Sequence, residues 1–430
     1  MAAHLVRARH PQAGEIVVVE RRRAFGPGLA YDVRDPAYVL NVRANRLSLF
    51  PDQPQDFARS IAAGDDAFVS RSTFGAYLRN RFAAARRARW LGGFQAVRDE
   101  AIACRAAGAR WRVEFANRPP MEADAVVLAL GNPAPKRIGV LEDAGIELIS
   151  PWEGRTLARA PAGDALLIGT GLTMIDVALT LARRRRGVIY ALSHRGLLPR
   201  THANAMASRA DEPDLPQPLS QALHELRRRA RAARARGEPW QWTLERLRPR
   251  TQALWRRLTA EEQARFLRHA RPWWDVHRHR AAPQVAERIA ALRSEGRLRV
   301  LTGEIVEASC RGRMVEVHHR QRGERSRHRV QAAFVVNCTG PDLDPRRSPE
   351  PLVRQLLGDG LARAHPTGLG FDIREDGALI GAEGAPREGL YLIGPMTMGA
   401  FWESTAAPEI TAAAAALARR LADRVSQPHE

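Results

Sequence analysis

The sequence predicts an α/β chain built from two Rossmann-like units, with a helical insertion in the second. Three observations predict it. A strand–turn–helix–strand unit is complete between Ala165 and Leu192. Short apolar runs end in glycine at Gly131, Gly340 and Gly394, as buried parallel strands do where the chain passes close to a ligand. An Arg- and Trp-rich stretch of helical pattern, about 205–282, interrupts the second unit.

The size allows this. With 430 residues there is room for two or three domains. Hydrophobic types make up 45% and charged types 27%, which excludes wholesale disorder, collagen and coiled coil. No apolar run approaches the ~18–20 residues that cross a bilayer, so no membrane partner is expected. Cys104, Cys310 and Cys338 lie far apart and form neither a disulfide framework nor a zinc spacing. The expected compartment is the reducing cytoplasm.

Lys+Arg is 67 against 47 Asp+Glu, a net charge of +20, and only Lys136 is a lysine. Such a balance can mean nucleic acid, a membrane surface or an anionic cofactor, or simply codon bias replacing Lys with Arg. Runs such as Arg183–Arg186 and Arg227–Arg236 carry the excess, but acids stay interspersed, so nucleic acid is disfavoured.

At the start, Ala2–Arg9 reads as a helix end and Ile16–Val19 as a buried strand closed by Glu20. In a dinucleotide-binding unit an acid at that place holds ribose hydroxyls, about 20 residues after a Gly-rich turn. Counting back reaches Met1 or beyond, so the first strand and its phosphate loop are expected to lie off the chain. A Gly/Pro loop follows at Phe25–Tyr31, then Asn41 and Arg46, which could donate to a flat ligand; a plain surface loop fits as well. Ser72–Arg89 reads as a helix whose Phe74, Tyr77, Leu78 and Phe82 face the core. Trp111–Phe115 and Ala125–Leu130 read as strands, and residues 133–161 as a linker.

The strongest motif is Ala165–Ile168, Gly169-Thr170-Gly171, a helix over Thr173–Ala182, and a strand at Val188–Leu192. Glycines at such a turn let amides approach a pyrophosphate at a helix N-terminus. Met174 stands where Gly or Ala is usual. The second strand ends in Ser193-His194-Arg195, with no acid from Gly187 to Arg200. A hydroxyl and a guanidinium suit a 2′-phosphate, which predicts NADPH over NADH.

Within the insertion, Gln217–Arg236 and Ala260–His269 have helical pattern, and the whole is expected to cover a cleft as a lid. Trp273–Arg280 gathers aromatics, imidazoles and guanidiniums. It reads as a cationic wall, as helix packing, or less readily as a nucleic-acid surface; His277 and His279 lack a third metal ligand, so no metal site is assigned. Pro283–Glu295 reads as a helix and 297–318 as β-rich. Ala333–Cys338 and Leu390–Ile393 are buried strands, and a helix closes the chain. The pattern suggests a two-nucleotide flavoprotein plan. Residues 1–135 and 331–430 form a discontinuous FAD-binding domain, and 150–330 an NAD(P)-binding domain.

The blocks FGPGLAYDVRDPAYVLNV, LLIGTGLTMIDVAL, SHRGLLPR, RFLRHARPWWDVHRHR, VVNCTGP and LIGPMTMGAFWESTAAPEI resemble bacterial FAD/NAD(P)-binding oxidoreductases. These stand near flavin-dependent monooxygenases and include urate-hydroxylase-like members. The resemblance covers nearly the whole chain and takes in Met174 and the WWDVHRHR segment, but not the absent opening strand and loop. It implies FAD and NADPH as cofactors and a small-molecule substrate. It implies Glu20 at the FAD ribose, and loops around Asn41, Gly131, Gly340 and Gly394-Pro395 along the flavin. Gly169, Gly171 and Thr173 would hold the NADP pyrophosphate. No catalytic base follows from it. The other class is a degenerate flavoprotein that binds NADP or partners without redox turnover.

Overall fold

The computed structural model describes residues 1–8, 14–64, 66–88, 93–152, 154–184, 187–204 and 214–425. Arg9, Arg89, Arg185, Arg186, and the start of the insertion at 205–213 lie outside the described residues. Among the described residues no helix is long and apolar enough to cross a membrane.

The chain opens with a helix at Ala2–Ala8 and then β1 (Ile16–Val19), which runs parallel to β2 (Phe94–Val97). Between them lies the helix Arg71–Arg87. Ser70 caps it by accepting from the Thr73 amide at 3.1 Å, and Arg86 and Arg87 sit at its negative end. Phe74 and Tyr77 are buried against Phe57 and Leu47, so the aromatic stripe is core. Phe82 leaves that cluster and stacks on Phe25, ring centres 5.2 Å apart. An antiparallel meander follows, β3 (Ala101–Ala107), β4 (Arg110–Phe115) and β5 (Met121–Ala123), and then β6 (Val126–Leu128).

Residues 133–161 are more than the linker expected. They hold short helices at Gly139–Glu142 and Gly154–Arg159, with β7 (Leu148–Ile149) between them. A two-residue strand is too short to leave a periodic signal. The βαβ unit forms as expected: β8 (Ala165–Ile168), the helix Leu172–Arg184, and β9 (Ile189–Ser193). β8 is buried at every residue, and Met174, Val177, Ala178 and Leu181 pack the helix beneath the sheet. Met174 is thus a core residue at the place where small residues are usual.

After the insertion come the helix Pro283–Ser294 and β10 (Leu298–Thr302). A second meander, β11 (Glu304–Arg311), β12 (Met314–Arg320) and β13 (His328–Ala332), leads to β14 (Phe334–Asn337). The second sheet has the order β10-β9-β8-β14-β7 and is parallel throughout. This moves the boundary expected at residue 330/331. β14 is wholly apolar and buried, and it finds that environment between β8 and β7. The five-stranded sheet therefore includes the chain up to Asn337, and Gly340 follows its tip.

The last strands are β15 (Ala378–Ile380) and β16 (Pro386–Leu392). β16 runs parallel to β6 and antiparallel to β15, and the helix Ala407–Val425 ends the described chain. The first unit thus contains β1-β2 and β15-β16-β6 as separate sheets, beside the β3-β4-β5 meander, rather than one continuous sheet. Where the chain crosses between the units, Pro135 and Pro341 form an antiparallel bridge, and the Asp342 amide donates to the Ala134 carbonyl at 2.9 Å. The two crossings lie side by side.

Helices at Leu219–Ala235, Gln241–Leu247, Thr251–Arg257, Ala260–Arg265 and Arg271–Arg278 make up the insertion. A π turn at Phe266–Ala270 joins the last two; Pro272 has no amide for the carbonyl four residues back. The insertion is not a free-standing lid. Trp255 stacks on Trp402 at 4.7 Å, and Phe266 meets Trp402 edge-on at 5.3 Å, within the same core as Leu128 and Leu390.

Candidate functional site

A cleft of about 1050 Å³ opens beyond β16. Ile393 and Gly394 form one wall, the 45–55 loop a second, and Arg248 with Phe401–Ser404 a third. Beside it is a cavity of about 50 Å³, which shares Arg46, Glu245 and Arg248 with the cleft. Asn41, His202 and Arg280 are among its other polar lining residues.

Ion pairs bind the insertion to the first unit around both spaces. Arg46 reaches Glu245 at 3.2 Å, and Arg280 pairs with the other oxygen of the same carboxylate. Arg248 grips Glu409 with two bonds of 2.7 and 2.9 Å. Arg278 donates from Nε to Glu403 at 2.9 Å, and Trp274 Nε1 donates to the other Glu403 oxygen at 3.1 Å. The cationic-wall reading of 273–280 is corrected accordingly. Arg278 and Arg280 are buried and each has a carboxylate partner, so the segment is first of all a packed joint.

His202 sits at the centre of this joint. Arg280 Nε donates to its Nδ1 at 3.4 Å, and its Nε2 lies 2.9 Å from the Asn41 carbonyl. An arginine only donates, so Nδ1 is the acceptor and Nε2–H donates to Asn41. Burial first, then Arg280, hold the imidazole pKa down at about 4. The ring is a neutral brace for the Asn41 segment. Glu403 adopts a left-handed backbone, φ 69°, unusual for a residue with a side chain. Its bonds to Trp274 and Arg278 hold it there.

The second sheet presents its own site. Gly169 has φ 108°, and a Cβ on it would come within 2.5 Å of the Cys338 carbonyl. Gly171 is exposed, and a Cβ there would meet nothing. The helix Leu172–Arg184 starts beside it; Ile175 N bonds Gly171 O at 3.2 Å, which leaves the 172–174 amides ahead of the helical ladder. Half-buried Thr173 stands in that first turn.

Ser193 is hydrogen-bonded within its own turn. Thr170 Oγ1 donates to the Leu197 carbonyl at 2.6 Å, so the 2.9 Å contact between hydroxyls is Ser193 donating to Thr170. Ser193 also accepts from the Gly196 amide at 3.0 Å. Its only proton is used within the turn. Exposed Arg195 and His194 are the side chains at this strand end that can meet an anion.

The predicted residues therefore fall into groups. Gly169, Gly171, Thr173, Ser193 and Arg195 gather at the tips of β8 and β9. Asn41 and Arg46 line the small cavity, while Arg46 and Gly394 line the cleft. Gly131 and Gly340 flank the Pro135–Pro341 crossing. Pro395 is buried in a 3₁₀ turn. Glu20 ends β1 and accepts from the Arg22 amide at 2.9 Å. The sequence reading missed Arg43, His202, Glu245, Arg248 and Glu403. Partners 125–161 residues apart leave no local pattern; the left-over acids Glu245 and Glu403 among so many arginines were the one available hint.

Two nucleotide-type units joined by paired crossings define the fold as that of the two-dinucleotide-binding flavoproteins. Residues 1–133 match the model of a family described as FAD-NAD(P)-binding. No curated protein matches the chain. Among solved structures, the ornithine N-hydroxylase of Kutzneria sp. 744, in a structure with reduced FAD, NADP+ and L-ornithine, is 15% identical with a TM-score of 0.65. That match covers 99% of this chain and 96% of that one. L-lysine 6-monooxygenase from Pseudomonas syringae gives 14%, the same TM-score and the same coverages. Thioredoxin reductase from Lactococcus lactis gives 10% and 0.52, over 98% of this chain and 94% of its own. At these identities the likeness is one of fold.

Proposed function

We propose that the chain is an FAD- and NADPH-dependent monooxygenase acting on a small molecule. One observation carries the reading. The antiparallel Pro135–Pro341 crossing joins a parallel sheet, with an open glycine turn at Gly171, to a unit with a large cleft at Gly394. The similar N-hydroxylases, and the FAD-NAD(P)-binding match over 1–133, favour the same chemistry.

The residues suit the cofactors in part. The open side of Gly171 and the unladdered amides after it suit an NADP pyrophosphate, and Arg195 suits its 2′-phosphate. The cleft at Gly394 and Arg46 suits a flavin ring, and Glu20 a ribose. When bound, FAD supplies the redox chemistry, with NADPH as reductant and O₂ as the source of the inserted oxygen. The chain's part is to bind, orient and keep water out. Trp402 and Phe401 give the cleft an apolar wall, and His202 steadies the Asn41 loop at its side.

The test is to supply the purified full chain with FAD and NADPH. Retained flavin absorbance, and NADPH consumption that depends on substrate and yields an oxygenated product, are expected. Peroxide equal to NADPH consumed with every substrate tried overturns the monooxygenase reading. Failure to retain flavin overturns the flavoenzyme reading.

A further inference from the structure

The turn that follows β9 is held by the glycine turn that follows β8. Thr170, between Gly169 and Gly171, is buried at 6% exposure. Its hydroxyl donates to the Leu197 carbonyl at 2.6 Å and accepts from Ser193 at 2.9 Å. Ser193 in turn accepts from the Gly196 amide at 3.0 Å. The bonds run one way, from Gly196 to Ser193 to Thr170 to Leu197, and each hydroxyl gives its one proton inside the series.

β10 holds the same turn from the other side. The Gly303 amide donates to the Ser193 carbonyl at 3.0 Å. Gly196 has φ 57°, and a Cβ on it would come within 2.5 Å of Thr302 Oγ1, so the turn lies close on the end of β10. His194 and Arg195 stand between the anchors at Ser193 and Gly196, and both are exposed. A guanidinium carried on a backbone fixed at both sides loses less freedom when it meets an anion.

We propose that Thr170 is a positioning residue for cofactor choice: its hydroxyl fixes the Ser193–Leu197 turn so that Arg195 stands ready for the 2′-phosphate of NADPH. Buried, and with its proton committed to Leu197, Thr170 has none to give a ligand, so its effect passes through the turn. The same residue belongs to the Gly169–Gly171 turn. It thereby sets the distance between the place for a pyrophosphate and the place for a 2′-phosphate. The proposal rests on the NADPH reading, and the test separates the two.

The test compares adenosine 2′,5′-bisphosphate with 5′-AMP, which differ only in the 2′-phosphate, by calorimetry on the full chain. The parent should bind the bisphosphate more tightly. Thr170→Val keeps the shape and removes the hydroxyl. It should reduce the ratio of the two affinities about fivefold to twentyfold, as the freed turn loses its pre-set form. Thr170→Ser restores the hydroxyl and should restore the ratio. A thermal melt checks that each variant is folded; if Thr170→Val is not, Thr170→Ala decides on the same ratio. A merely structural role weakens both ligands alike and leaves the ratio in place, and that result overturns the proposal. In an Arg195→Gln background Thr170→Val should change the ratio little, because the effect passes through Arg195. An undiminished loss there also overturns the positioning role. A parent that binds both ligands equally removes the NADPH reading and this proposal with it. A parent that prefers the bisphosphate, with an unchanged ratio in the folded variant, removes the proposal alone.

Discussion

Arg278 Nε donates to Glu403 at 2.9 Å, and this bond ties the last helix of the insertion to the loop that follows β16. Both side chains are almost fully buried, at 9% and 3% exposure. The pair joins two segments 125 residues apart, and the strained backbone at Glu403 persists because the pair holds it.

Removing one partner of such a pair leaves a buried charge. Glu403→Gln should cost about 3–5 kcal/mol and lower the urea midpoint accordingly. A double replacement by apolar residues, Arg278→Met with Glu403→Leu, should recover much of that loss. A Glu403→Gln variant with an unchanged midpoint would show that the joint carries no weight.

The two turn glycines should behave differently. Gly169→Ala places a methyl against the Cys338 carbonyl at a φ of 108°, so it should lower the melting temperature of the ligand-free chain. Gly171→Ala puts its methyl into open space, so it should leave that temperature in place and weaken NADPH binding. Equal effects of both on the ligand-free chain would contradict the assignment.

Arg195 is the exposed cation at the end of β9. Arg195→Gln should lower kcat/KM for NADPH about tenfold to a hundredfold and leave NADH nearly unchanged. A parent enzyme that uses both cofactors equally well would remove this role.

Acid should destabilise the fold in a defined window. Burial holds His4, His202 and His279 down at about 4, from an ordinary value of 6.5. Between those values the unfolded chain binds protons that the folded chain does not. Stability is therefore full above pH 6.5 and falls as pH drops towards 4. Asp176 opposes this: burial raises it to about 6, so its share of stability falls as pH rises from 3.8 to 6. Three imidazoles outweigh one carboxyl. Urea midpoints from pH 7 to 4 should decline, less steeply in His202→Gln, which has no ring to protonate. A flat profile would contradict the buried neutral state.

Thiol reagents should separate the cysteines. Cys310 is exposed, while Cys104 and Cys338 are buried. Burial pushes the Cys104 thiol up to about 12 and Cys338 further still. One thiol should react promptly in the folded chain and three in urea. Two or three prompt equivalents would contradict the packing around β3 and β14.

The sequence by itself determined the βαβ unit, the apolar strands ending in Gly131, Gly340 and Gly394, and the helical character of the insertion. These are local: periodicity, glycine turns and apolar runs act over a few residues, and the backbone has few ways to satisfy them. Tertiary structure alone decided that β14 lies between β8 and β7, and that Ser193 spends its proton on Thr170. It also decided that Arg278 meets Glu403 while Arg46 and Arg280 converge on Glu245. The reason is physical. Buried charges must be matched, and which carboxylate matches which guanidinium depends on elements brought together from distant parts of the chain.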